Sequence, residues 1–271
     1  MVIARVQFFA GSAAVRVEIT LRNPRRARHA GGYWELGDRG SVYLQDASLH
    51  LSAPSEGESE CALGSDSGVE TFNEPLELYQ DSSGGEQWQH RNHVNRHGKV
   101  PCSFRGYRLV SGARHSEGLR ATPAARLCHH DGFVGIAVEQ FWQNCPKAIE
   151  TKDRTLTYRM FPRQYADLHE LQGGEQKTHR LALMFGDDAS VRDDAWFWGR
   201  TPSFVTATPS WYCAAEAMPY LMRTSEEASD GYERLISAAL DGRDSFVSKR
   251  ERIDEYGWRH FGELYADHEN A

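Results

Sequence analysis

Residues 79–98, YQDSSGGEQWQHRNHVNRHG, hold the densest set of side chains in this chain with the types and spacing for chemistry. Beside the paired glycines Gly84 and Gly85 stand Glu86 and Trp88, then His90, His93 and His97, interleaved with Arg91, Arg96, Asn92 and Asn95. Apolar residues here follow neither the period of a strand nor that of a helix, so the stretch reads as a loop that carries chemistry or holds a sugar.

Three chemistries compete for it. Catalytic zinc takes three protein ligands and an open position. His90, His93 and His97 have the spacing to supply them from a helix, but Asn92, Asn95 and Gly98 disfavour that helix, and the acid of a metalloprotease motif is absent. No metal and no cofactor is expected. Ser82 and Ser83 precede glycines without forming a G-x-S-x-G elbow, so a serine nucleophile has weak support.

The third chemistry is elimination on an acidic sugar. It needs cations to hold a carboxylate as its charge spreads, a base for the proton beside it, and an acid for the leaving oxygen. Arg91 and Lys177 suit the carboxylate, and His93 or Tyr79 suits proton transfer. Asn92, Asn95, Glu86 and Trp88 are the candidate binding residues of this loop. A second polar cluster, LHELQGGEQKTH at 168–179, adds His169, Glu175 and His179. Lys177 and His179 share one strand face with Leu181, Leu183 and Phe185, so this strand runs from a polar rim into a core. Trp34, Trp88 and Trp142 offer stacking platforms. Against all of this, roughly half of such loop residues serve only to tie the backbone down through side-chain hydrogen bonds.

The elements that must position these groups read as short strands. Val15, Val17, Ile19 and Leu21 alternate with Arg16, Glu18 and Thr20, the pattern of a half-buried antiparallel strand. Further strands are expected at 41–45, 48–52, 101–109, 124–129, 132–142, 155–161 and 177–185, while the Ser, Glu and Gly of residues 54–68 suggest a solvated loop. His129 and His130, beside Asp131, read as turn residues at a strand end. With no helical pattern between them, these strands favour a mainly β chain: an antiparallel β-sandwich over 1–190. Residues 191–271 are expected to be a linker and a short α-helical C-terminal tail. Tyr232, Leu235, Ile236, Ala239 and Leu240 fall on one helical stripe, with Glu226, Glu227 and Asp230 near its positive end. A second helix is expected over 243–254. Two helices cannot close a core alone, so they either return to the sheet or lead into a further helical domain; the second is favoured.

Bulk composition narrows the partners. A length of 271 residues with 40% hydrophobic content supports a substantial core. The net charge of −7, with basic residues scattered rather than striped, argues against nucleic acid as a partner. No run is long and apolar enough for a membrane span. Five widely separated cysteines, none in a C-x-x-C pair, suggest neither a disulfide framework nor a zinc site. The opening MVIARVQFF lacks the order of a signal peptide, which slightly favours the cytoplasm, although both ends are expected to be cut from a longer protein.

The phrases RVEITLRNPRRARHAGGYWELGD, YQDSSGGEQWQHRNHVNRHGKVP, FWQNCPKAIE, FPRQYADLHELQGGEQKTH and ERIDEYGWRHFGELYADHE resemble the exo-rhamnogalacturonan lyase family, the PcRGLX/YetA-like proteins. The similarity runs over nearly the whole chain. It implies a three-part enzyme with an N-terminal β-barrel-like domain, a central β-sandwich and a C-terminal α/α toroid, acting on rhamnogalacturonan or pectin-type oligosaccharides by β-elimination. This chain would be the central sandwich with the first toroid helices. Its partners would be the acidic oligosaccharide and the two missing domains, and it would be inactive alone. The alternative is a non-catalytic carbohydrate-binding or structural sandwich.

Overall fold

The alternation at residues 14–22 decides how the molecule is layered. Val17, Ile19 and Leu21 point into one core cluster, while Arg16 and Glu18 stay partly exposed on the opposite face. In the computed structural model, which describes residues 1–29, 35–52, 60–65, 68–73, 75–129, 132–186, 204–223 and 230–260, this strand belongs to an antiparallel seven-stranded sheet. Its order is β1 (Val2–Phe8), β2 (Ala14–Arg22), β15 (Gln176–Gly186), β11 (Gly132–Val138), β10 (Ala124–His129), β5 (Glu60–Ser65) and β6 (Gly68–Phe72). A six-stranded sheet faces it in the order β4 (Ala47–Ser52), β13 (Thr155–Phe161), β12 (Lys147–Lys152), β7 (Leu76–Gln80), β8 (Tyr107–Ser111) and β9 (Arg114–Gly118). A short pair, β3 (Val42–Leu44) with β14 (His169–Leu171), stands apart.

The core is the shared interior of the two sheets. Val17, Leu127, Ile136 and Leu181 come from one, and Leu78, Ile149, Leu156 and Tyr158 from the other. The chain is thus mainly β, an antiparallel sandwich with a short helical tail. β11 is buried at every position because Ala137 and Phe133 join a smaller cluster on the outer face with Ala14, Ala124 and Met184.

Three expected segments differ: the strand expected over 132–142 ends at Val138, where a turn leads into the 3-10 turn Trp142–Asn144, and two others differ for local reasons. Within the predicted loop at 54–68, β5 is a strand whose Cys61 and Leu63 enter the core. Only two inward positions carry its alternation, too few to stand out among Ser, Glu and Gly. The predicted strand at 101–109 begins only at Tyr107, because the N–H groups of Ser103 and Phe104 bond the Asp81 carboxylate instead of a neighbouring strand.

Among the described residues the tail holds α1 (Pro209–Ala214), α2 (Asp230–Asp241) and α3 (Phe246–Ile253). α2 has no buried residue, and Tyr232, Leu235 and Leu240 of its apolar stripe lie open. α3 starts where Ser245 Oγ accepts the Ser248 N–H, and it ends at Asp254 in the left-handed conformation. The chain then returns to the sandwich: Gly257 and Trp258 donate their N–H groups to the carbonyls of Gln143 and Cys145, and the Trp258 ring sits edge-on to Phe161 at 5.1 Å. Arg120 clamps Glu251 with two hydrogen bonds of 2.9 and 2.7 Å. The end of the tail therefore docks on the sheet, unlike α2, and the expected boundary near residue 190 lies outside the described residues. Amide hydrogens of Gly257 and Trp258 should exchange far more slowly than those of α2; equally fast exchange would show that the docking is not held in solution.

Gly84 and Gly106 are required by close approach. Gly84 has φ +75°, and a Cβ there would lie 2.1 Å from the Leu119 carbonyl oxygen; at Gly106 (φ +84°) it would lie 2.0 Å from that of Gly118. Gly84→Ala should destabilise the fold by at least about 1–2 kcal/mol from the backbone conformation alone, read as a lower urea midpoint.

Candidate functional site

The polar stretch begins as the last two residues of β7 and spends its first side chains on holding itself in place. The Tyr79 hydroxyl donates to Asp81 Oδ1 at 2.5 Å, and Gln80 bonds the carbonyls of Ser82 and Leu119 and the N–H of Ala121. Ser82 Oγ donates to the Phe104 carbonyl. Burial, then the nearby Asp81 charge, pushes the Tyr79 phenol up. Tyr79 is thus a buried anchor with its hydroxyl already committed, although Asp81 reaches a cleft.

Beyond the glycines the chain makes one 3-10 turn, Arg91–His93, with His90 Nδ1 accepting the Asn92 N–H. This turn meets the end of α3. Asn92 Nδ2 donates to the Ile253 carbonyl at 3.1 Å, and His93 Nε2 lies 2.8 Å from Asp254 Oδ2. Asp254 is fully buried, and the Ser83 hydroxyl lies 2.6 and 2.7 Å from its two oxygens. The three residues do not form a hydrolytic triad: there the imidazole stands between hydroxyl and carboxylate, whereas here both Ser83 and His93 bond the carboxylate.

Between this turn and the segment after α3 lies a cleft of about 970 Å³. Arg91, His93, Tyr165, Glu175, Trp258 and Arg259 are among its lining residues. No side-chain partner holds the Arg91 guanidinium among the described residues. Arg259 pairs loosely with the buried Glu170 at 3.7 Å and lies over the Trp258 ring. Burial is the main cause that pushes the Tyr165 phenol up and keeps it protonated. Burial likewise raises the Glu175 carboxyl, whose Oε2 accepts the Gln172 N–H.

The structure thus brings Arg91, Asn92, His93 and Glu175 together at one cleft. Glu86 is exposed and Trp88 half-buried, and neither lines it. Asn95 ties its own loop, accepting from the N–H groups of His97 and Lys99 and donating to Asp167. Lys177 is at the rim, its Nζ 3.1 Å from the carbonyl of cleft-lining His260. Trp142 carries the Arg120 guanidinium on its face, at 4.1 Å. Trp34 and His130 lie outside the described residues. Among the described residues no cluster of three His, Cys, Asp or Glu side chains is arranged to hold a metal.

His169 and His179 lie behind the cleft rather than in it. Both rings pack on Phe161, at 5.0 and 5.3 Å, and His169 also stacks on Tyr165. Lys147 joins them, fully buried, with Nζ donating to the carbonyls of Pro146 and Met160. Burial first, then neighbouring positive charge, disfavours the charged form of each. His169 is pushed down to about 4, and His179 and Lys147 well below their usual values. In the unfolded chain a histidine takes its proton near 6.5, so between 6.5 and about 4 the unfolded state binds more protons and stability falls as pH falls. For His169 the loss across that window is about 3 kcal/mol. Asp81 and Glu175, raised by burial, act in the opposite sense, so the His169 share is the difference in pH slope between wild type and His169→Gln in urea unfolding. Identical slopes would contradict it.

Sequence reasoning did not single out Asp254, Tyr165, Trp258 or Arg259. The signal was present in DEYGWRH, residues 254–260, a dense polar and aromatic run directly after a helix. No family model and no curated protein matches the chain.

Proposed function

We propose that this chain binds acidic oligosaccharides of the rhamnogalacturonan or pectin type in the cleft beside His93 and acts on them by β-elimination, as the central sandwich of a lyase-like protein. The observation that carries this reading is the convergence on one cleft of His93, bonded to a buried carboxylate, the Arg91 and Arg259 guanidinium groups, and the protonated phenol of Tyr165. His93 takes the proton on the carbon bearing the sugar carboxylate, and that electron pair becomes the double bond. The bond to the β-oxygen breaks as Tyr165 gives it a proton. Arg91 and Arg259 offset the charge that spreads over the carboxylate. Trp258 and Tyr256 line the cleft but are 4% and 5% exposed, so they shape its floor and leave recognition of the sugar to the polar groups.

Domains before and after the sandwich belong to the same proposal, and the open apolar stripe of α2 supports a helical partner. The segment 254–260 lines the cleft from the tail side, so we assign the proton-transfer groups to this chain alone and propose, in place of the expectation that it is inactive alone, that it turns over substrate without the further domains. A binding module without turnover is favoured by one observation: Tyr79 and Lys177, two of the groups suited to chemistry, are committed to Asp81 and to the His260 carbonyl. Tryptophan fluorescence titrated with acidic and with neutral oligosaccharides of equal length tests the ligand class. Saturable quenching by the acidic series alone is expected, weakening with salt. Equal response to the neutral series would contradict the proposal.

A further inference from the structure

Asp254 is a fully buried carboxylate at a left-handed position, φ 55° and ψ 55°, a conformation uncommon outside glycine. That backbone turns its side chain beneath the polar loop, against Gly85, where an added Cβ would lie 2.7 Å from Asp254 Oδ1. The protons around it can be assigned by valence. The Gly85 N–H donates to Ser83 Oγ at 3.0 Å, so the Ser83 hydroxyl is free to direct its own proton at Asp254. An ionised carboxylate accepts only, so the nitrogen 2.8 Å away, His93 Nε2, must carry a hydrogen. A neutral imidazole then has its lone pair on Nδ1, an atom with no hydrogen-bond partner among the described residues, on a side chain that lines the cleft.

We infer that Asp254, oriented by Ser83 and seated against Gly85, is a positioning residue that fixes His93 as the Nε2–H tautomer and leaves Nδ1 as the proton acceptor of the cleft. Its consequence for turnover rests on the function proposed above; the tautomer itself does not. A carboxylate behind an imidazole sets both the ring orientation and which nitrogen is basic, and an amide in its place is able to donate to that nitrogen and reverse the tautomer.

The experiment is a long-range proton–nitrogen correlation spectrum of the full chain with ¹⁵N-labelled histidine, the His93 signal assigned by its loss in His93→Gln. A mildly alkaline pH keeps exposed histidines neutral. The expected result is a protonated Nε2 and a bare Nδ1 in the wild type, the same in Ser83→Ala, and a shift toward Nδ1–H in Asp254→Asn. Protonated Nδ1 in the wild type, whether as the other tautomer or as an imidazolium, overturns the inference, and this readout stands even if Asp254→Asn does not fold. An unchanged tautomer in folded Asp254→Asn also overturns it. In turnover, Asp254→Asn is expected to lose about 10²–10⁴-fold. An Nε2–H tautomer in a protein that turns over no acidic oligosaccharide upholds the inference and rejects only the proposed function.

Discussion

Replacing His93 with alanine is expected to lower the formation of unsaturated uronate by about 10²–10⁴-fold while leaving oligosaccharide affinity nearly unchanged. In the proposed elimination the effect falls on kcat because the imidazole would contribute only when the proton moves, whereas Arg91 and Arg259, which line the same cleft and remain, would hold the carboxylate in the ground state as well. Arg91→Ala should therefore behave differently, raising KM and lowering kcat by roughly 10² together. Removing the imidazole leaves Asp254 with Ser83 as its remaining side-chain hydrogen-bond donor among the described residues, so a stability cost of about 1–3 kcal/mol accompanies the change and is measured separately. A His93→Ala protein that stays folded and turns over within a few-fold of wild type would place the base elsewhere.

The largest structural effect is expected at Trp258, in the docked end of the tail. Its side chain is 4% exposed, lies edge-on to the fully buried Phe161 and contacts the His169 ring as well, so it is part of the sandwich core although it stands far along the chain from β13. Trp258→Ala should cost about 3–5 kcal/mol, the range for deleting a large buried aromatic. The loss should also weaken turnover, because the same segment carries Asp254 beneath His93 and Arg259 into the cleft. Urea unfolding gives the energy, and ligand titration gives the coupling. A change below about 1 kcal/mol would mean that the segment rests on the surface rather than in the core.

How far the sequence alone reached depends on the range of the interactions involved. β10 and β13 were legible to their end residues and β2 to within one at each end, because alternation is a property of neighbours along the chain. β5, with two inward residues in a Ser- and Gly-rich stretch, and β12, whose Lys147 is buried, gave no such alternation. The loop at 79–98 was legible as a concentration of polar groups, but its division of labour was not. Tyr79 and Asn95 went to internal hydrogen bonds, while Arg91, Asn92 and His93 reached the cleft, and nothing in their spacing distinguishes the two sets. The pairing of His93 with Asp254 spans 161 residues, and no local pattern encodes it. Composition also left His169 and His179 looking like ligands for a sugar, when burial around Phe161 removes them from the cleft surface.

The measurement that bears most directly on the account is ultraviolet absorbance of the unsaturated uronate, followed while this chain is incubated with rhamnogalacturonan oligosaccharides beside its His93→Ala variant. A rising signal is expected with the wild-type chain and nearly none with the variant, which would place base, carboxylate clamp and proton donor within the sandwich and its docked tail. No signal from the folded wild-type chain, or equal signals from both proteins, would contradict it.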